Sequence, residues 1–161
     1  MDRYVVKNII LFSAILGVLL GFLGVIPFIG VWMLVILIVL AAPLVMVYLI
    51  MDSKLDLTTI KDSIITGAIV GFNSSIFFSA AYSMIAAILF KIFHFSSNQI
   101  LTSIIINSPM WLLVCFIIFI GIFNATTNAF SGFATYYVIN FIRDMYEKSH
   151  PRNNDNDDFT R

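Results

Sequence analysis

Four long apolar runs constrain this chain more than any other feature of its sequence. The runs approach or exceed the roughly 20 residues that a helix needs to cross the hydrocarbon core of a bilayer, and none carries a charged residue in its middle. Hydrophobic residues make up 60% of the 161 residues and charged residues 11%, whereas about a quarter of a soluble domain is charged. We therefore predict an all-α polytopic membrane protein with four transmembrane helices in a bundle, plus short amphipathic interfacial helices.

Prolines and glycines set the limits of the predicted spans. Pro27 and Gly30 close the first span with an uncharged turn, because proline cannot continue a helix and glycine tolerates the reversal. Pro43 removes the hydrogen bond to the carbonyl of Val39. This predicts a kink that improves packing, or else a hinge or an exposed carbonyl at a binding site. The four spans are predicted over about 9–26, 31–51, 63–90 and 109–135.

Two further segments are amphipathic rather than uniformly apolar. Residues 98–107 predict a short helix lying flat on the membrane surface, capped by Ser96 or Ser97. Residues 136–148 place apolar side chains at i, i+3, i+4 and i+7 against charged ones, which predicts a second interfacial helix.

The chain divides into two parts by composition. Residues 1–148 form a single membrane domain in this interpretation, and residues 149–161 form a polar tail almost without apolar side chains. Such a composition predicts disorder.

At the start of the third span, Thr59 and Asp62 have the spacing of a capping box.

Small residues recur at every fourth position in two of the spans. In the third span this ridge runs from Ser63 to Ala87, and a shorter row lies in the first span. Rows of this kind let helix backbones approach closely in lipid, and we expect the first-span row to meet the third-span ridge. The residues predicted to pack in this way are Ser13, Gly17, Gly21, Gly67, Gly71, Ser75, Ser79 and Ser83.

A possible intramembrane polar cluster consists of Asn73, Asn124, Asn128 and Ser131. The third and fourth spans are antiparallel, and Asn73 and Asn124 lie about ten and eleven residues from the inner ends of their helices. The two side chains therefore share a depth in the membrane, and we expect them to bond across the helices. Two interpretations stay open: the cluster fixes helix register, or it forms a small polar pocket open to the cytoplasmic half.

Charge predicts the orientation. Both termini and the linker 52–62 fall on one side with eight of the nine basic residues, and Lys91 alone falls on the other. By the positive-inside rule we expect a multi-pass protein of the cell membrane (the inner membrane in a prokaryote) with both termini cytoplasmic.

The residues offer little for chemistry. Intramembrane charge, which marks proton relays and ion paths, is missing from the spans, and Cys115 stands alone in an apolar run. We predict no catalytic, cofactor or metal site and no enzyme activity. The zero net charge leaves no basic face for nucleic acid.

The leading hypothesis is a non-enzymatic protein that acts through helix–helix, protein or lipid contacts, with membrane lipids and a membrane-protein partner or a second copy as its partners. The alternative is a small transport or permeation component in which the Asn/Ser/Thr cluster lines a path. A third interpretation uses the amphipathic segment 136–148 for lipid binding or envelope stress.

One resemblance follows from these features. The Gly-xxx-Gly rows, the Pro27/Gly30 hairpin and the Asp62 start of the Gly67/Gly71 helix resemble uncharacterised small prokaryotic four-helix integral membrane proteins, over roughly residues 13–75. This resemblance implies four spans and brings no known activity.

Overall fold

The computed structural model of the protein describes residues 3–52, 59–96 and 98–149, and every regular element within these ranges is a helix. The elements in chain order are α1 (Arg3–Gly24), α2 (Ile29–Met51), α3 (Ile60–Phe93), α4 (Gln99–Asn107) and α5 (Met110–Ser149). All but α4 are long and apolar enough to cross a membrane, as the four predicted spans require. The tail predicted to be disordered lies, beyond Ser149, outside the described residues.

Two turns reverse the chain through residues in the left-handed region. Between α1 and α2 it is Phe28, with φ of 68°, that makes the reversal, and not the glycine to which the sequence assigned it. Gly30 has a different role, because a Cβ there would collide with the carbonyl oxygen of Gly24. After α3 the left-handed residue is His94, with φ of 53°.

The helix caps follow side-chain chemistry. Thr59 Oγ1 accepts from the backbone N–H of Asp62 at 3.2 Å and donates to its carboxylate at 2.8 Å, which confirms the predicted start of α3. Asn98, and not Ser96 or Ser97, caps α4, since its Oδ1 accepts from the N–H of Leu101 at 3.2 Å. Asparagine is among the best N-cap residues.

α5 is longer than its predicted span. The sequence predicted a separate interfacial helix over 136–148, whereas the structure continues α5 without a break to Ser149. No proline or glycine follows Gly132 in α5, so nothing interrupts the backbone ladder. At 1.5 Å per residue α5 is about 60 Å long, and residues 141–149 are all exposed.

α3 lies at the centre, and α1 packs along it in the same direction. A Cβ at Gly17 would collide with the backbone of Ser74, and a Cβ at Gly21 would lie 2.7 Å from the carbonyl oxygen of Phe78. The predicted contact between α1 and α3 therefore forms, but the α1 row meets Ser74 and Phe78 rather than the ridge of small residues. Helical spacing identifies a row without identifying its partner.

The ridge of small residues on α3 packs instead against α5, which runs antiparallel to α3. A Cβ at Gly67 would collide with the carbonyl oxygen of Asn128, and one at Gly132 would lie 2.6 Å from that of Ser63. Gly71 is equally close to the backbone of Asn124. These glycines let the two helices approach until backbone touches backbone.

This packing of the helices brings the end of α3, the whole of α4 and the start of α5 to one end of the molecule. Of the basic residues that the structure describes, Lys91 lies at this end, and five lie at the opposite end. Those five are Arg3, Lys7, Lys61, Arg143 and Lys148.

Gly71→Ala should destabilise the protein. The added Cβ would lie 2.6 Å from Asn128 Cβ and closer still to a backbone oxygen that cannot rotate away. Overpacking of this kind costs about 1–3 kcal/mol, and at about 2–4 °C per kcal/mol we expect the apparent Tm in detergent to fall by about 2–12 °C.

Gly24→Ala is the matched control. Its Cβ would meet the ring of Phe78 at 3.1 Å, a side chain that can shift, so the Tm should change little. An unchanged Tm in both variants would contradict the close contact of α3 with α5.

Candidate functional site between α2, α3 and α5

The backbone of α2 is irregular where α5 crosses it. Residues Ile36–Leu40 form a π-helical turn, and Pro43 follows without an N–H to donate. Asn128 of α5 compensates: its Oδ1 accepts from the N–H of Ala42 at 2.8 Å. Its Nδ2 donates to the carbonyl oxygens of Leu37 and Ile38 at 3.0 and 3.1 Å. The Asn128 side chain thus replaces a missing peptide group.

Two neighbours on α5 extend this arrangement. Ser131 Oγ donates to the carbonyl of Val39, the group that loses its helical donor to Pro43. Asn124 Nδ2 donates to the carbonyl of Gly71 on α3 at 3.0 Å, and its Oδ1 lies 3.2 Å from Asn128 Nδ2. Both asparagines are buried. Of the interpretations of Pro43, the exposed carbonyl at a binding site is wrong, since the carbonyl of Val39 accepts from Ser131.

Asn73 does not join the other members of the predicted cluster. Its Nδ2 donates to the carbonyl of Ile10 at 2.8 Å and to Ser13 Oγ at 2.7 Å, both on α1. The expected bond between Asn73 and Asn124 is not formed between these two described residues. Depth along the helices was similar, but Asn73 lies on the face of α3 that meets α1.

An apolar cavity of about 300 Å³ lies between the same three helices, towards α4. Leu37 and Ile38 of α2 line it beside their bonds to Asn128, and Asn124 lies on its wall. Phe116, which is half exposed, also lines it. We call this space the apolar cavity; its walls are hydrocarbon, with a few hydroxyl and amide groups.

The cavity exists because the ridge of small residues is not filled along its whole length. Ser79 and Ser83, predicted to pack a helix, line the cavity instead. On the opposite wall α5 presents the bulky side chains of Phe116, Ile117 and Phe123, all of which precede Asn124, the first α5 residue whose backbone lies against Gly71. Buried Ser75 marks the last point of the ridge before the cavity.

α4 covers the apolar cavity at one side. Leu101, Ile104 and Ile105 of its apolar face line the space, whereas the sequence placed this face on the membrane surface. Ile100 of the same face is exposed by 74%. The apolar side chains of α4 thus share a face, and that face lines a cavity for which the sequence of α4 alone carries no signal.

No acidic or basic residue of the described chain lines the apolar cavity. Among the described residues no three His, Cys, Asp or Glu side chains could hold a metal ion together. The geometry is therefore compatible with an apolar molecule held by shape and burial, with the hydroxyls of Ser79 and Ser83 on the wall.

Comparison of the chain with protein-family models, with curated proteins and with solved structures finds no match.

Asn128→Leu should destabilise the protein and loosen α2. The change leaves the N–H of Ala42 and the amide-bonded carbonyls without their α5 partner, and each unsatisfied buried group costs about 1–3 kcal/mol. We expect faster amide hydrogen exchange in the peptide that covers residues 37–46, together with a lower Tm.

Asn73→Leu provides the comparison, because it removes a bond to the carbonyl of Ile10, which already has a donor within α1. We expect a clearly smaller loss of stability and unchanged exchange in α2. Equal effects of the two substitutions would show that Asn128 does not support the irregular backbone.

Proposed function

We propose that this protein is a non-enzymatic integral membrane protein whose apolar cavity holds the acyl chain of a lipid. The single observation that carries the proposal is the cavity itself, because apolar space of about 300 Å³ is at the lower limit of the roughly 300–1,000 Å³ typical of ligand sites. In a bilayer the abundant apolar molecules are the lipids, and Leu34 and Phe123 of the wall are exposed at the surface that hydrocarbon would cover.

The proposal includes the arrangement in the membrane. The four long helices cross the bilayer as one bundle held by small-xxx-small contacts, with α4 at the interface. Both termini face the cytoplasm, since the end that holds Arg3 and Lys148 carries most of the positive charge. The membrane is the cell membrane, which is the inner membrane in a prokaryote.

Contacts with a membrane-protein partner or a second copy remain part of the proposal. α5 is exposed at Phe119 and Phe130 by 68% and 74%, an apolar surface that lipid or another helix would cover. Nucleic acid, cofactors and catalysis have no place in it.

The alternative of permeation along the asparagines receives less support. Asn124 and Asn128 are exposed by only 1% and 0%. Their amide groups form hydrogen bonds with backbone groups and with each other. Groups that bond in this way have little capacity left to solvate a passing solute.

Filling the apolar cavity should displace the lipid. The double variant Ser79→Leu with Ser83→Leu adds bulk to the cavity wall on α3. Native mass spectrometry of the protein released directly from its own membrane should show retained lipid in the natural protein and at least about fivefold less in the variant. The reason is that the added leucine side chains take the place of the acyl chain in the cavity.

Ala80→Leu is the control on the same helix, since Ala80 is exposed and does not line the cavity. It should retain lipid as the natural protein does. Full retention by the double variant, or no retained lipid in the natural protein, would overturn the proposal.

The orientation has its own test, with Cys115 replaced by Ala. Cysteine introduced at Lys91 should react with an impermeant maleimide on intact cells. Cysteine at Lys148 should react only after permeabilisation, since positive charge is retained on the cytoplasmic side. The reverse pattern would invert the topology.

A further inference from the structure

A second, polar pocket lies at the α4 end of the molecule. It measures about 380 Å³ and is bounded by the end of α3, the turn after it and the polar face of α4. Its polar side chains are His94, Ser96, Gln99, Thr102, Ser103 and Asn107. Neither the asparagine cluster nor the apolar cavity includes any of these residues.

Thr102 is the observation that points to a ligand. It is exposed by only 2%, and its Oγ1 has no hydrogen-bond partner among the described residues. A buried hydroxyl without a partner costs free energy. Ser63, Thr66, Ser75 and the amide of Asn8 also lack partners within the described chain, but these four residues line neither the apolar cavity nor the polar pocket, whereas Thr102 lines the polar pocket.

The pocket has the chemistry of an uncharged, hydroxyl-bearing ligand. Gln99, Ser103 and Asn107 supply amide and hydroxyl groups that both donate and accept, and Asn107 Nδ2 already donates to Ser103 Oγ at 3.1 Å. No Asp, Glu, Lys or Arg of the described residues lines the pocket, whereas sites for phosphate are rich in Arg and Lys. Phe90 adds an apolar ring to the wall.

The position of the pocket suits a lipid headgroup. Neighbouring faces of α4 border the two spaces: Leu101 lines the apolar cavity, and the next residue, Thr102, lines the polar pocket. On α3, Ser83 lines the first and Phe90 the second, about 10 Å further along the helix.

We infer that the polar pocket binds the uncharged headgroup, a glycerol or a sugar, of the lipid whose chain occupies the apolar cavity; this rests on the proposed function. Thr102 Oγ1 is the hydrogen-bonding group on which the site depends. The lipid class is thus a diacylglycerol or a glycosyl-diacylglycerol and not an anionic phospholipid.

The test uses the full chain in phosphatidylcholine nanodiscs that contain equal amounts of a monoglycosyl-diacylglycerol, a diacylglycerol and phosphatidic acid with matched acyl chains. Native mass spectrometry counts the lipids that stay bound. We expect the two neutral lipids to be enriched over phosphatidic acid, and Thr102→Val to reduce that enrichment about fivefold, as the loss of one neutral hydrogen bond would.

The variants separate binding from folding. Thr102→Val removes a hydroxyl that has no partner in the described chain, so the Tm should not fall, and Thr102→Ser should restore the enrichment. Thr126→Val is the matched control, because Thr126 Oγ1 bonds to the carbonyl of Ile122 at 3.0 Å and lines neither space.

Each outcome decides between the two proposals. Lipid retention that ignores the headgroup and Thr102, yet is lost on filling the apolar cavity, would overturn the headgroup site and leave the acyl-chain site in place. Neutral-lipid enrichment that depends on Thr102 and survives filling of the cavity would overturn the acyl-chain site and the idea that one lipid occupies both spaces, and it would leave the polar pocket as an independent headgroup site. Retention of none of the three lipids, or enrichment of phosphatidic acid, would overturn the headgroup site.

Discussion

The structure depends on how α2 satisfies its backbone hydrogen bonds. Inside a bilayer there is no water to receive an unpaired carbonyl, so each must find a partner within the protein. Pro43 and the π-helical turn before it remove regular partners from α2, and α5 restores them through Asn128 and Ser131. The register of α2 against α5 is therefore fixed by directional bonds, which uniformly apolar side chains could not provide.

That register acts together with the glycine contacts of α3 to leave the apolar cavity. Near Gly67 and Gly71 the backbones of α3 and α5 touch, but beyond Asn124 bulky α5 side chains, Phe116 and Ile117 among them, line the cavity together with the small Ser79 and Ser83. The same row of residues is thus a contact at one end and a wall at the other.

Much of the fold could be predicted because its signals are local. The apolar runs identify the long helices, and the Thr59/Asp62 spacing identifies a cap that the structure contains. What could not be predicted is which surface each face meets. Asn73 and Asn124 share a depth, yet one bonds to α1 and the other to α3. The continuation of α5 past residue 136 was not predicted, because an amphipathic pattern indicates that one face of a helix meets water and does not indicate where the helix ends.

The distribution of satisfied polar groups separates support from recognition. Burying an amide group in an apolar interior costs free energy unless the group is hydrogen-bonded. At Asn128 the hydrogen bonds to the backbone of α2 offset this cost, so its presence needs no ligand. Ser75 is also buried without a hydrogen-bond partner among the described residues, but it lines neither the apolar cavity nor the polar pocket. Thr102 differs because open space lies beside it. A hydroxyl that is buried, unpartnered and next to a cavity gains a hydrogen bond when a suitable ligand occupies that cavity. For this reason we propose recognition at the α4 end and assign structural support to the asparagines.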